Sequence, residues 1–196
     1  FAFSELFMRR CPDNQATVIG NNQRALFLPV LHERLAAMQP SSDILDVGAG
    51  SGDMIELALN RLTDATIHIN EPNPILLNLY QEKIGRSPSL QLGTVFNQVI
   101  EHYFDTPQQA IPQTIPQTIP QNAYDGILAI HMIYHLTDCT QANIQPEQDL
   151  INFIQFLFDR LRPGGSLFLV YADQTRSFIG KATSHFYQTN EPDIAS

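Results

Sequence analysis

The chain has 196 residues, of which 43% are hydrophobic and 16% charged, and its 20 acidic and 11 basic residues give a formal net charge of −9. This length and composition predict one soluble globular domain, and no apolar run approaches the ~20 residues of a membrane span. The acidic excess argues against nucleic acid as a partner, because such proteins need cations to replace phosphate counterions, and it suits a neutral or cationic small molecule.

The first predicted element is a helix that begins near Asn22 and ends before Pro40. Apolar residues recur there at spacings of three and four, as they do on one face of a helix: Leu28, Leu31, Leu35 and Met38. We assign residues 1–39 to an N-terminal helical segment and 40–196 to the domain that follows.

From residue 43 onward, strand and helix patterns alternate. Short apolar runs predict strands at 43–47, 65–70, 90–95, 124–130 and 166–171. Helical spacing returns between them, after the glycines at 48–52, at 74–85, at 96–104 and over about 150–161. This alternation predicts a doubly wound α/β fold, in which helices cover both faces of a mostly parallel sheet. Ligands of such sheets bind at the carboxyl ends of the strands, near the point where strand order reverses.

Some local details are predicted as well. Asn73 followed by Pro74 is typical of a helix start, and the helix after it is expected to bury Leu76, Leu79, Tyr80 and Ile84. Residues 162–165 read as a turn before the fifth strand.

A Pro/Gln-rich segment at 107–122 separates the third and fourth strands. Within it, IPQTIPQTIPQ at 111–121 repeats a four-residue unit. Proline at this density excludes a helix or a central strand and favours extended, solvated chain. We predict a surface loop.

The first strand leads into ILDVGAGSGD at 44–53, where every second residue from Gly48 to Gly52 is glycine. A phosphate loop would continue with Gly-Lys, which does not follow here, and a dinucleotide fingerprint would have a third glycine where Asp53 stands. An adenosyl sulfonium has no phosphate to bind, and the acidic Asp46 suits its cationic end. The alternative is a tight turn that binds no ligand.

Glu71 directly follows the second strand, within IHINEPNP. A nucleoside ligand needs an acceptor for its ribose hydroxyls at this place, and a carboxylate accepts two such hydrogen bonds. The alternative is a solvated turn residue.

Four segments, in this order, resemble motifs of the class I S-adenosylmethionine-dependent methyltransferases: DVGAGSG, the Glu-Pro after the second strand, YDGILAIHMIYHLTD and LRPGGSLFLVY. The resemblance covers about residues 40–171. It implies a Rossmann-like methyltransferase sheet and S-adenosylmethionine as cofactor. It also assigns cofactor binding to Asp46, Gly48, Ala49, Gly50, Gly52, Glu71, Pro72 and Ile130.

This family usually closes its sheet with two more strands. Only 25 residues follow Tyr171, too few for a helix and both strands at usual lengths. We therefore expect the C-terminal strands to be missing from this sequence, or the sheet to be short.

In detail the sequence is most similar to the histamine N-methyltransferase branch, where proline follows the ribose-binding acid, as Pro72 follows Glu71. The run IHMIYHLTD at 130–138 resembles the fourth strand of that branch, with histidine in place of a pocket glutamine and of a second tyrosine. The resemblance implies that the catalytic and acceptor-binding residues are Asp13, Tyr134, His131 and His135. The alternatives are a helix cap for Asp13 and a place in the core for His131 and Tyr134. The substitution of histidine for glutamine leaves the identity of the acceptor open.

The implied reaction is methyl transfer to the amine nitrogen of a small molecule. A histidine of the pair His131 and His135 removes the amine proton, or Asp13 holds the amine while water takes the proton. The two histidines are four residues apart, but no third ligand accompanies them, so no metal is expected.

Two alternatives stay open, an O-methyltransferase for a small hydroxylated metabolite and a non-catalytic module that binds S-adenosylmethionine. The two cysteines, Cys11 and Cys139, share no motif spacing. A reduced cytoplasmic protein is therefore the expected setting.

Overall fold

The computed structural model describes residues 18–53, 56, 61–100, 103, 118–130, 132 and 146–170. The helices and strands of this part of the chain are, in order, α1 (Val18–Ala36), β1 (Asp43–Val47), β2 (Ala65–Asn70), α2 (Pro74–Gly85), β3 (Leu90–Phe96), β4 (Tyr124–Ile130), α3 (Pro146–Phe158) and β5 (Leu161–Val170). None of the helices described is long and apolar enough to cross a bilayer.

The strands form one sheet in the order β3-β2-β1-β4-β5. Every neighbouring pair is parallel. Chain order runs outward from β1 to β3 on one side and from β4 to β5 on the other, so the order reverses between β1 and β4. The predicted doubly wound α/β fold is confirmed.

Two apolar clusters form the core, one on each face of the sheet. Alternate strand residues serve opposite clusters, as the two-residue period of a strand requires. Ile44 packs with residues of α1 and α2 in the first cluster: Leu31, Leu35, Leu77, Tyr80 and Ile84. Leu45 packs with residues of α3 in the second: Phe153, Phe156 and Leu157.

The predicted bounds of β1, β2 and β4 match the structure. Turn residues precede each of these runs, and Gly48 and Glu71-Pro72 follow the first two. The first helix begins earlier than predicted, at Val18, and ends earlier, at Ala36, with Pro29 inside it. Two of its predicted apolar positions are fully buried, Leu31 and Leu35.

The buried face of α2 differs from the prediction by a partial rotation. Asn73 is the N-cap, as predicted, and its side chain accepts from the backbone N–H of Ile75 at 3.0 Å. The residues of this helix that face the sheet are Leu77, Tyr80 and Ile84. Leu79 is 38% exposed, so its assignment to the buried face is wrong.

Two predicted elements are wrong at their boundaries because strands extend into them. Phe96 does not begin a helix; it ends β3, pairs with Asn70 and is buried. The segment 162–165 is not a turn before β5 but a bulge inside it, since Tyr124 pairs with Leu161 and Gly126 with Ser166. This bulge holds Arg162, which donates to Asp125 at 2.6 Å and to Asp43 at 2.7 Å.

Candidate functional site

The candidate site lies at the carboxyl edge of the sheet, where strand order reverses. There β1 ends at Val47 beside β4, and the chain enters residues 48–52, the glycine loop. The neighbouring strand β2 ends at Asn70 and is followed at once by Glu71. Because all the strands are parallel, these ends share one edge, which is where sheets of this kind bind ligands.

All three glycines of the loop adopt left-handed conformations, with φ of 62° at Gly48, 58° at Gly50 and 72° at Gly52. Glycine adopts this region without the steric cost that a side chain incurs. Backbone bonds complete the loop. The N–H of Ala49 donates to the carbonyl of Asn70 at 3.1 Å, and the N–H of Gly52 donates to the carbonyl of Ala49 at 3.1 Å.

The three glycines differ in what surrounds them. A Cβ on Gly48 would lie 2.6 Å from the Cβ of Met132, and a Cβ on Gly52 would lie 2.6 Å from Cγ of Tyr80. No atom of the described residues lies within 4 Å of a Cβ placed on Gly50. Packing inside the chain therefore requires the outer two glycines, while the middle one faces open space that a ligand can occupy.

Glu71 connects the glycine loop to the start of α2. Its side chain is buried, and its Oε2 accepts from the N–H of Gly50 at 2.7 Å while Oε1 accepts from the N–H of Asn73 at 2.8 Å. Each carboxylate oxygen has a second lone pair. The group thus retains one acceptor position on each oxygen after both of these bonds are made.

Asn70 is a residue of this edge that sequence reasoning missed. It is 1% exposed, and its Nδ2 donates to the carbonyl of Phe96 at 3.0 Å and to that of Gln98 at 2.9 Å. These bonds hold the end of β3 against the end of β2. The sequence did contain a signal for this role of Asn70, namely an amide at the end of an apolar strand. Such an amide is buried and must find hydrogen-bond partners.

Asp46 is buried on β1, two residues before the glycine loop. The hydroxyl of Tyr80 donates to its Oδ2 at 2.9 Å. Burial raises the pKa of Asp46 from 3.8 to about 7; the Tyr80 hydrogen bond opposes that rise and the charge of Glu71 adds to it. Contact between Asp46 and a cationic ligand stays a prediction, while its partnership with Tyr80 was not foreseen.

Replacing Asp46 with asparagine should remove a pH-dependent contribution to stability. Because the folded pKa is about 7 and the ordinary value is 3.8, the folded chain holds a proton in this window that the unfolded chain has released. Stability from this carboxyl is present at low pH and is lost as pH rises through the window, by up to about 4 kcal/mol. The measurement is the unfolding free energy in denaturant for both proteins. The value for the wild type minus that for Asp46→Asn should decrease as pH rises through this window.

The exposed Asp64 provides the control, since Asp64→Asn also removes one negative charge. The wild type is compared with each variant in turn. If its unfolding free energy relative to Asp64→Asn changes with pH as much as that relative to Asp46→Asn, the raised pKa of Asp46 is wrong.

Comparison with known proteins agrees with this geometry. A family model described as a methyltransferase domain matches residues 20–190, which include the glycine loop and Glu71. The chain belongs to this methyltransferase-domain family. Among curated proteins, no sequence matches the chain.

Solved structures share the fold of this methyltransferase domain. A S-adenosylmethionine-dependent methyltransferase from Leishmania major superposes with a TM-score of 0.52 at 21% identity, over 76% of this chain and 50% of that one. A cyclopropane synthase from Mycobacterium tuberculosis gives 0.50 at 14% identity, over 74% and 41%. A Haemonchus contortus phosphoethanolamine N-methyltransferase, solved with S-adenosylhomocysteine, gives 0.50 at 16% identity, over 85% and 31%. The chain therefore spans half or less of the length of these three proteins.

Beyond the glycines, a cluster of charged side chains ties the loop of the methyltransferase domain to α2. Asp53 directly follows Gly52, and its carboxylate accepts from the ammonium of Lys83 and from the hydroxyl of Ser51. The ammonium of Lys83 also lies 3.6 Å from the carboxylate of Glu56. Asp53 therefore holds the loop in place, in the position where a dinucleotide fingerprint has glycine.

The structure places the predicted cofactor-binding residues at this one edge. They are Asp46 in β1, four positions of the glycine loop (Gly48, Ala49, Gly50 and Gly52), Glu71 and the exposed Pro72 after β2, and Ile130 at the end of β4. The predicted acceptor-site residues lie outside the described residues: Asp13, His131, Tyr134 and His135. Within the described residues, no group of three or more His, Cys, Asp or Glu side chains is placed to hold a metal ion.

A polar cleft at the opposite edge of the sheet is a weaker candidate. It lies between the end of α1 and the bulge of β5 and is lined by residues such as Arg34, Ser42, Asp125 and Gly164. The amino ends of the strands form this edge, whereas ligands of open parallel sheets bind at the carboxyl ends.

Proposed function

We propose that this methyltransferase domain uses S-adenosylmethionine to methylate a small-molecule acceptor, with an amine nitrogen as the favoured acceptor atom. The observation that carries the proposal is the hydrogen bond between the buried carboxylate of Glu71 and the N–H of Gly50. It joins a glycine loop at the end of β1 to an acid at the end of β2, beside the point where strand order reverses.

The residues present fit this cofactor. A nucleoside with no phosphate needs close approach to the backbone and acceptors for two ribose hydroxyls. Gly50 offers open space, and Glu71 keeps one acceptor position on each oxygen. Asp53 stands where a dinucleotide fingerprint has its third glycine, which disfavours a dinucleotide.

The cofactor, when bound, supplies an electrophilic methyl group on a sulfonium. The chain's own contribution is to bind and orient, since alignment of two reactants can lower a barrier by roughly 7–11 kcal/mol at best. In this proposal Glu71 holds the ribose, and the glycine loop and Asp46 serve the amino-acid end. Pro72 and Ile130 border the same edge.

The proposed acceptor-binding residues are Asp13, His131, Tyr134 and His135. Their assignment rests on the similarity of the sequence to the histamine N-methyltransferase branch. An amine must be neutral to use its lone pair, and a histidine can take the proton near neutral pH. A net charge of −9 suits an amine, whose resting form is cationic, and disfavours a nucleic acid. Residues 1–39 would complete this pocket. The proposal also places the protein in the cytoplasm.

Transfer of labelled methyl groups from S-adenosylmethionine across a panel of small amines and phenols tests the proposal, with product identification by mass spectrometry. We expect turnover on amines and a loss of at least ~100-fold in kcat for His131→Ala, since a general base contributes about 100- to 10,000-fold. Cofactor affinity, measured by calorimetry, should be unchanged in that variant. Equal loss of both, or of neither, would remove His131 from the acceptor pocket.

The same panel separates the alternatives. Turnover on phenols alone would assign O-methylation. Tight cofactor binding without turnover on any acceptor would assign a non-catalytic binding module. A chain that binds neither S-adenosylmethionine nor S-adenosylhomocysteine would overturn the proposal as a whole.

A further inference from the structure

Helix α2 contacts the interior side of the glycine loop through one aromatic side chain. The ring of Tyr80 fills the space left by the absent side chain of Gly52, and its hydroxyl donates to Asp46 at 2.9 Å. Tyr80 is fully buried. One turn later on the same helix, Lys83 pairs with Asp53. The side chains of α2 therefore meet the chain on both sides of residues 48–52.

We propose that Tyr80 is a positioning residue for the cofactor, which sets the glycine loop in its binding geometry and does so most strongly when Asp46 is ionised. This inference rests on the proposed function, because it assumes that the loop binds the cofactor. Tyr80 itself lies behind the loop and acts through it.

The loop needs such support because of its conformation. Three of its five residues are glycines at positive φ, and glycine loses more conformational entropy on ordering than any other residue. The bonds of Gly50 to Glu71 and of Asp53 to Lys83 restrain part of the loop. A loop held by these alone would sample more conformations, and a ligand would have to order it on binding. The contacts of Tyr80, at Asp46 before the loop and at Gly52 within it, order the loop in advance.

The ionisation state of Asp46 decides how much the hydroxyl contributes. The titratable groups that face this carboxyl among the described residues are Tyr80 on α2 and Glu71 after β2. Its register partners on β2 and β4 are the apolar Ile69 and Leu128, and Lys83 is engaged by Asp53 and Glu56. A hydrogen bond to a carboxylate is about twice as strong as one between neutral groups.

The arrangement has a pH signature. Burial raises the pKa of Asp46 to about 7, and the hydroxyl of Tyr80 acts against that rise. At pH 6 the carboxyl is mostly neutral and the hydroxyl contributes little. At pH 8.5 it is mostly ionised, and the hydroxyl is the donor that the described residues supply to it.

The test is the affinity of the whole chain for S-adenosylhomocysteine, measured by calorimetry at about pH 6 and about pH 8.5. Tyr80→Phe keeps the ring against Gly52 and removes only the hydroxyl. We expect its affinity to be within about threefold of the wild type at the lower pH and weaker by about tenfold or more at the higher pH. Tyr80→Leu also removes the ring, so it should bind S-adenosylhomocysteine more weakly than the wild type at both pH values.

Tyr124→Phe is the matched control. Tyr124 is another buried tyrosine, at the far end of β4, and its hydroxyl has no hydrogen-bond partner among the described residues. Its affinity for S-adenosylhomocysteine should equal that of the wild type at both pH values. If Tyr80→Phe does not fold, Asp46→Asn alone is the second route, because it keeps this side chain neutral at every pH; it should bind S-adenosylhomocysteine like the wild type at the lower pH and more weakly at the higher pH. If Tyr80→Phe folds, its effect on affinity should no longer depend on pH when it is measured in an Asp46→Asn background.

The outcomes separate the two claims. A wild-type chain that does not bind S-adenosylhomocysteine would overturn the proposed function and this inference with it. A wild-type chain that binds, with Tyr80→Phe equal to it or weaker by the same factor at both pH values, would leave the proposed function standing and reduce Tyr80 to a core residue. An effect of Tyr80→Phe that still depends on pH in the Asp46→Asn background would also overturn the inference.

Discussion

Replacing Glu71 with glutamine should weaken the binding of S-adenosylhomocysteine by about 100-fold or more, because the two charge-assisted hydrogen bonds that we propose between Glu71 and the ribose would be lost or weakened. The structure adds a second cause. Both oxygens of Glu71 accept backbone N–H groups, from Gly50 and from Asn73. Glutamine has one acceptor oxygen and an NH₂ group, so its NH₂ would have to face one of these two donors. The loop or the start of α2 would then lose its partner.

The measurement is calorimetry with S-adenosylhomocysteine, together with thermal unfolding of the unliganded variant. Glu82→Gln is the matched control, since Glu82 is an exposed acid on α2 whose partner is Arg86 at 3.2 Å on the surface. We expect that variant to bind like the wild type. If Glu71→Gln binds S-adenosylhomocysteine within threefold of the wild type, Glu71 does not hold the ribose.

The sequence predicts the central strands well because each is a short apolar run that begins directly after turn residues. The strands of the reversal point, β1 and β4, start and end where predicted. The errors arise where the structure of one element depends on another. The bulge of β5 depends on Arg162 reaching two carboxylates that lie 37 and 119 residues away in sequence. The buried face of α2 depends on the sheet beneath it, so a helical pattern alone could not exclude Leu79.

The candidate site also contains residues that the sequence predicts and residues that it does not. The glycine loop and Glu71 were predictable because each is a local motif at the end of a strand. Tyr80, Asn70 and Met132 were not, because their roles come from neighbours brought close by folding. One signal for Tyr80 was present in the sequence. A buried acid at the end of a strand needs a donor, and a tyrosine on the buried face of α2 can supply it.

Two single replacements by alanine, Gly52→Ala and Gly50→Ala, should have different main effects: the first on stability and the second on ligand binding. Both glycines have positive φ, 58° at Gly50 and 72° at Gly52, and an alanine in this region costs about 1–2 kcal/mol at either position. At Gly52 the new methyl group would also overlap the ring of Tyr80. Overpacking of this kind costs a further ~1–3 kcal/mol, and moving the ring would break the bond of its hydroxyl to Asp46. We therefore expect Gly52→Ala to lose about 2–5 kcal/mol of unfolding free energy in denaturant titrations.

At Gly50 the methyl group would enter space that the described residues leave open, so the loss of stability should stay near the backbone cost of about 1–2 kcal/mol. That space is where the proposed cofactor lies, and the affinity of Gly50→Ala for S-adenosylhomocysteine should fall by at least tenfold, since a group forced into an occupied site costs about as much as core overpacking. Gly85→Ala, at the end of α2 with open space around it, controls for the substitution and should bind like the wild type. If Gly50→Ala binds as tightly as Gly85→Ala, the open side of the glycine loop is not the side that the cofactor occupies, and the ligand must approach this edge of the sheet from another direction.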